Sequence, residues 1–251
     1  MKLFELLLII QDEKKSEDYL RSVGILKTFS NCPRCNGTSL GMIRGDRWKC
    51  YKCKTEWTRR KDSILSLVRI KYSEFLFCLK CFELEFTVDQ CSKELEINYK
   101  TVEIIFNEFR GCIGYVNGDF AVHAKVIKGE ACSLAIILHE DKVIIEILDK
   151  VISVNTAIIS ITRSRIPNSA AFYEIEFSKL RKKLSQISDK EFSTLGTFWR
   201  FAKPRLINFK GTDLMTLLLY LKEIEFRFNT SREDLFDLIV AKIVQNQRVV
   251  R

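Results

Sequence analysis

A chain of 251 residues, 47% hydrophobic and 29% charged, with ten glycines and three prolines, can bury a substantial core and is not a fibrous or wholly disordered protein. The formal net charge is +9, and its distribution is more informative than its size. Residues 32–72 carry eleven basic and three acidic side chains, residues 73–110 carry four and eight, and residues 1–31 balance at five each. A cationic surplus gathered on one short stretch is the footprint of a polyanion partner, most simply nucleic acid.

In chain order, Met1-Lys2 precedes an apolar run that Glu5 interrupts. No small-residue cleavage site follows it, and the run is too short to span a bilayer. Phe4, Leu7, Leu8, Tyr19, Leu20 and Val23 recur at helical spacing and end near Gly24, which predicts an N-terminal helical segment, residues 1–31, packed on the rest of the protein with no membrane partner. Nine cysteines, an odd number with four at metal-ligand spacing, fit a reducing intracellular compartment rather than a disulfide framework.

Residues 32–63 carry the most specific signal. Cys32-x-x-Cys35 and Cys50-x-x-Cys53, fourteen residues apart, can present four thiolates from two tight turns to one tetrahedral Zn²⁺. With every ligand supplied by protein, such a zinc ribbon is structural, not catalytic. Pro33 and Gly37 suit the first turn, whereas Lys54 stands where glycine is common. Lys49, Lys52, Lys54, Arg59, Arg60 and Lys61, interleaved with Trp48, Tyr51 and Trp57, predict a basic and aromatic face for phosphates, with an ordinary solvated charged face as the plainer alternative.

Residues 64–112 read as a connector and three helices. The first covers 73–86. Thr87 with Gln90 forms a capping box for the second, and Asn98 caps a third that turns Val102, Ile105, Phe106 and Phe109 inward. A short helix, a tight turn and an amphipathic helix fit a helix-turn-helix, in which Tyr99, Lys100 and Thr101 would meet bases. Glu103 and Asn107 lie further along the same helix. A plain helical bundle fits the spacing as well. Cys78 and Cys81 lie within the apolar first helix and read as core thiols. After Gly111 the pattern predicts strands at 120–127, 132–139, 142–148 and 151–162, then helices at 172–184, 198–206, 214–228 and from Ser231 to about 244. His123 and His139 fall in strands without paired ligands. Arg200, Lys203, Arg205 and Lys210, with no acid between Gly196 and Gly211, form a second basic stripe.

This order of parts, together with Gly196-Thr197-Phe198-Trp199-Arg200-Phe201-Ala202-Lys203, the run from Arg205 to Gly211 and the helix Leu221 to Asn229, resembles the Merlin-type insertion-sequence transposases. The likeness covers most of the chain and is faint between residues 118 and 190. It implies an RNase H-like domain over residues 113–251 that cuts DNA with three carboxylates and two Mg²⁺, hard cations that need oxygen ligands. The family's three acid positions match His123, about Thr162 and Gly196. Asp119 stands about 13 Å from His123 along a strand, and residues 151–173 contain no Asp or Glu.

The fold expected is therefore α+β and multidomain: N-terminal helix, zinc ribbon, helix-turn-helix, then a degenerate RNase H-like α/β domain. The function expected is a transposase-derived, zinc-dependent DNA-binding pseudoenzyme, acting on double-stranded DNA, with self-association left open. The Arg59-Arg60-Lys61 cluster points to the nucleus. One alternative is an active, Mg²⁺-dependent transposase with acids relocated to Asp119, Glu140, Asp141, Glu146 or Glu191. The other is an RNA-binding or protein-interaction scaffold.

Overall fold

The computed structural model describes residues 1–44, 47–114, 131–139, 142–147, 157–163, 173–179, 189–207 and 214–246. The chain forms two compact units: residues 1–112 with 233–251, and residues 113–232. The block expected at 113–251 is thus divided, and its last helix belongs with the N-terminal half. No helix among the described residues is long and apolar enough to cross a membrane.

In the first unit the expected N-terminal helical segment is two helices, α1 (Leu3–Ile10) and α2 (Glu13–Ser22). Asp12 interrupts them: its carboxylate accepts the Lys14 N–H at 2.8 Å and caps a new start. α1 buries Leu6 but leaves Leu3, Phe4, Leu7 and Leu8 exposed.

Three helices follow, α3 (Tyr72–Glu83), α4 (Val88–Glu94) and α5 (Tyr99–Gly114). The predicted caps are present. The Gln90 N–H donates to Thr87 Oγ1 at 3.2 Å while Gln90 Oε1 accepts from the Thr87 N–H at 2.9 Å, and Asn98 Oδ1 accepts from the Lys100 N–H at 2.8 Å. Both turns close with a residue in the left-handed region, Glu85 (φ 62°) and Glu96 (φ 52°). The Phe86 N–H reaches the Cys81 carbonyl at 2.9 Å, and the Ile97 N–H reaches the Ser92 carbonyl at 3.0 Å, so each helix end satisfies its last carbonyls by folding back.

The core of this unit is aromatic. Phe75 and Phe82 of α3 meet Phe109 of α5 edge-on at 5.6 and 5.3 Å, and Phe82 meets Phe106 at 5.2 Å. All four are fully buried, each contributing about 2–3 kcal/mol of hydrophobic transfer energy. Cys78 and Cys81 are core thiols, as expected, beside Cys91 of α4, whose sulfur lies 3.9 Å from that of Cys78. That hydrogen bond, with burial, pushes the Cys91 thiol up to about 12, so it stays protonated and unreactive. The final helix of the chain, α8 (Leu235–Asn246), packs on α3 and buries Phe236 and Ile239. Its Asn246 side chain donates to the Cys112 carbonyl at 2.8 Å.

The second unit holds a four-stranded sheet, β4 (Ala131–His139), β5 (Lys142–Ile147), β6 (Ala157–Arg163) and β7 (Tyr173–Lys179), in the order β5-β4-β6-β7 with every pairing antiparallel. Residues 173–179 correct the helix expected at 172–184. Tyr173, Ile175 and Phe177 alternate with Glu174, Glu176 and Ser178, a period of two that suits a strand. Of the strand expected at 151–162, residues 157–162 lie on β6, and residues 151–156, like the strand expected at 120–127, lie outside the described residues. Among the described residues this unit also holds two helices, α6 (Asp189–Ile207) and α7 (Leu214–Asn229), with Phe198 against Phe228 at 5.1 Å. α7 also seals the sheet edge. Asn229 accepts the Val143 N–H at 2.9 Å and donates to the Val143 carbonyl at 2.6 Å, and Glu225 accepts the Ile145 N–H at 2.7 Å. Side chains thus pair the open rim of β5 as another strand would. The fold is α+β, with no parallel strand pair among the described residues.

Candidate metal centre and its basic face

Residues 40–58 form a three-stranded antiparallel sheet, β1 (Leu40–Ile43), β2 (Arg47–Cys50) and β3 (Glu56–Thr58), with β2 in the middle. The two Cys-x-x-Cys turns repeat one geometry. In the first, the Asn36 N–H returns to the Cys32 carbonyl and the Cys32 N–H to the Gly37 carbonyl; in the second, Lys54 returns to Cys50 and Cys50 to Thr55. All four bonds are 2.9 Å. Each turn requires a left-handed residue just after its second cysteine, Asn36 (φ 56°) and Lys54 (φ 61°). Asparagine accepts that conformation readily; lysine does so at a cost of about 1–2 kcal/mol. Lys54→Gly is therefore expected to raise the stability of the metal-loaded protein by about 1 kcal/mol, seen as a higher urea midpoint, and an unchanged or lower midpoint would contradict this account of the turn.

The turns bring four sulfurs together. Cys32 and Cys53 lie 3.5 Å apart, Cys35 and Cys50 3.6 Å apart, and all four fall within 4.8 Å of one another. A tetrahedral ion with metal–sulfur bonds of ~2.3 Å needs sulfur–sulfur edges of about 3.8 Å. The set is therefore cation-sized, and the cysteines are free rather than disulfide-bonded. An all-sulfur tetrahedron suits a soft or borderline ion such as zinc. Backbone and side-chain groups tune the thiols: the Arg34 N–H points at Cys32 Sγ at 3.4 Å, and the Thr55 hydroxyl and N–H draw Cys53 down to about 6. At Cys35 the Gly37 N–H pulls the other way from Cys53, burial, Cys50 and Cys32, which together push it up to about 11. Crowded thiols resist giving up several protons until a cation offsets the charge. Among the described residues no other group of three or more Cys, His, Asp or Glu converges in this way.

The structure redistributes the expected basic and aromatic face. Trp57 is core, 4% exposed, packed on Cys32 and Cys50 and edge-on to Phe29 at 5.7 Å. Trp48, opposite it in register, is partly buried, which leaves Tyr51 as the exposed aromatic of the three. Arg59 ion-pairs with buried Glu17 of α2, which also takes Arg21 at 2.7 Å. Arg60 donates to the Val68 and Ile70 carbonyls at 3.2 and 2.6 Å and lies 4.7 Å from the Tyr72 ring. Lys61 pairs with Asp62 at 3.3 Å, and Lys49 with Glu56 at 3.0 Å. These four cations hold the ribbon together and fasten it to α2 and α3. Lys52 and Lys54 are exposed, and with them Arg34, Arg44 and Arg47, which sequence reasoning passed over. Arg34 is the basic residue inside the first turn, between Pro33 and the ligand Cys35.

Elsewhere, Tyr99 and Lys100 are exposed at the start of α5, but Lys100 spends its charge on Glu103 at 2.5 Å. That contact raises its pKa. Arg200 and Lys203 are exposed on α6, Arg205 stacks on Phe201 at 3.6 Å, and Lys210 lies outside the described residues. So do Asp119, His123, Glu140 and Asp141. Thr162 is on β6, Glu146 on β5, and Gly196 and Glu191 on α6.

Comparison with protein-family models, curated protein sequences and solved structures finds no match for this chain.

Proposed function

We propose that the chain is a zinc-ribbon DNA-binding protein of transposase descent whose second unit no longer cuts DNA. The observation that carries the binding role is the pairing of a closed four-sulfur site with exposed cations on and beside its turns: Arg34, Lys52 and Lys54, with Arg44 and Arg47 on the adjoining hairpin. Between Arg47 and Lys61 the one acid is Glu56, and Lys49, then Arg47 and Arg44, already hold its carboxyl below the usual range. A small metal-clamped knob with its acid neutralised attracts phosphates. The helix-turn-helix, on a stretch with twice as many acids as bases, adds little attraction, and Lys100 is internally paired. Descent and loss of cleavage rest on the resemblance and on the acid-free run 151–173.

Salt titration of DNA affinity tests this. Lys52→Gln with Lys54→Gln should lower the slope of log K against log salt by up to ~0.9 per lost phosphate contact. Lys49→Gln should change it less because Glu56 occupies that charge, and Lys100→Gln should leave it nearly unchanged. A larger effect at Lys100 than at Lys52 and Lys54 would overturn the assignment.

A further inference from the structure

We infer that the second cysteine turn is a stacking platform for an unpaired base, so that the ribbon takes single-stranded nucleic acid in preference to a duplex. This rests on the nucleic-acid reading of the same surface and names the form of ligand it fits.

Tyr51 is 49% exposed although it sits between the ligand Cys50 and the cation Lys52. Its backbone is fixed, because its N–H donates to the Ser39 carbonyl at 2.9 Å. Its ring lies directly against Gly41: a Cβ placed there would meet ring carbons at 2.7 and 2.9 Å. Lys52 repeats the arrangement one residue on, its stem crossing Gly37 so closely that a Cβ would meet its Cδ at 3.2 Å. Two glycines on the first arm thus seat two consecutive side chains of the second turn. The aromatic is braced against backbone on one side and open to solvent elsewhere, which limits the conformational freedom it would lose on binding.

Charge surrounds this ring. Lys52 and Lys54 follow it in the same turn, and Arg34 reaches across from the first turn to Thr55 Oγ1 at 3.4 Å. A flat apolar surface bordered by cations matches a nucleotide, whose base can stack while its phosphates meet the lysines and arginine. In a duplex the base faces are covered by their neighbours, and a single protruding ring reaches only the backbone. In a single strand every base has a face to offer. Stacking is also indifferent to sequence, so little base preference is expected.

The test uses the full zinc-loaded chain and three labelled ligands in a fluorescence anisotropy titration: a mixed-sequence DNA strand, the same strand annealed to its complement, and the same strand with abasic sites. The intact strand should bind about tenfold tighter than the abasic one, in line with one stacked base, and tighter than the duplex. Tyr51→Leu should erase the difference between intact and abasic strands with the salt slope unchanged, and Tyr51→Phe should keep it. Equal binding of intact and abasic strands by the unaltered protein, a result that needs no variant to fold, would overturn the inference, as would tighter binding of the duplex. If Lys52→Gln with Lys54→Gln still weakens binding in that case, only stacking has failed. If none of the three ligands binds in a salt-dependent way, the nucleic-acid reading fails with it.

Discussion

Stripping the metal with a strong chelator is expected to unfold residues 32–58 while leaving the helices of the first unit in place. The ribbon has very little else to hold it. Its strands are three and four residues long, and its buried cluster is Cys32, Cys50 and Trp57 with partly buried Phe29, Leu40 and Trp48, too small to fold unaided. Structural zinc supplies about 10–16 kcal/mol in comparable small modules. Thiol alkylation read by mass spectrometry separates the outcomes. After chelation Cys32, Cys35, Cys50 and Cys53 should react, while buried Cys78, Cys81, Cys91 and Cys112 stay protected. Cys50→Ser should do the same without chelator, since Cys50 is fully buried. Acidification should act in the same direction: binding displaces thiol protons, so affinity falls as pH falls and protons reclaim the sulfurs. Unchanged protection of the four ligands after chelation would show that the ribbon is not held by an ion.

Replacing Glu17 with Gln is expected to cost about 3–5 kcal/mol, the usual penalty for leaving buried charge unpaired. Glu17 is 5% exposed and accepts from Arg21 Nε at 3.0 Å and Nη2 at 2.7 Å as well as from Arg59. The substitution removes the counter-charge shared by Arg21 and Arg59, although Arg21 keeps its bond to the Lys27 carbonyl at 2.7 Å, and removes the ion pair between α2 and the ribbon. Urea denaturation of the metal-loaded protein measures it. The double variant Glu17→Leu with Arg59→Met should recover part of the loss, because apolar groups of similar size can replace a buried ion pair. A loss below about 1 kcal/mol would mean that the pair is as weak as a surface one.

The metal ligands were legible because thiolate chemistry fixes both residue type and spacing, and the inward faces of α3 and α5 were legible because phenylalanines recur at helical intervals. What escaped detection was the partner of each cation. Arg59 and Arg60 look from sequence like a solvent-facing basic cluster, yet their partners, Glu17 and the carbonyls of Val68 and Ile70, lie as far as 42 residues away. Turn positions were equally hidden. Lys54, Asp62, Glu85 and Glu96 all adopt positive φ where glycine or asparagine would have announced a turn. The stretch Tyr173–Lys179 carries glutamates and a lysine that favour helices, and its pairing with β6 overrides that preference.

The last helix has a consequence for how the molecule is made. α8 covers α3 with Phe236 and ties off the end of α5 through Asn246, so the amino-terminal half cannot finish folding until the final stretch leaves the ribosome. Along the chain, residues 113–232 interrupt the other unit like a parenthesis in a sentence. A fragment stopped at residue 112 would carry every metal ligand and still present a raw hydrophobic seam.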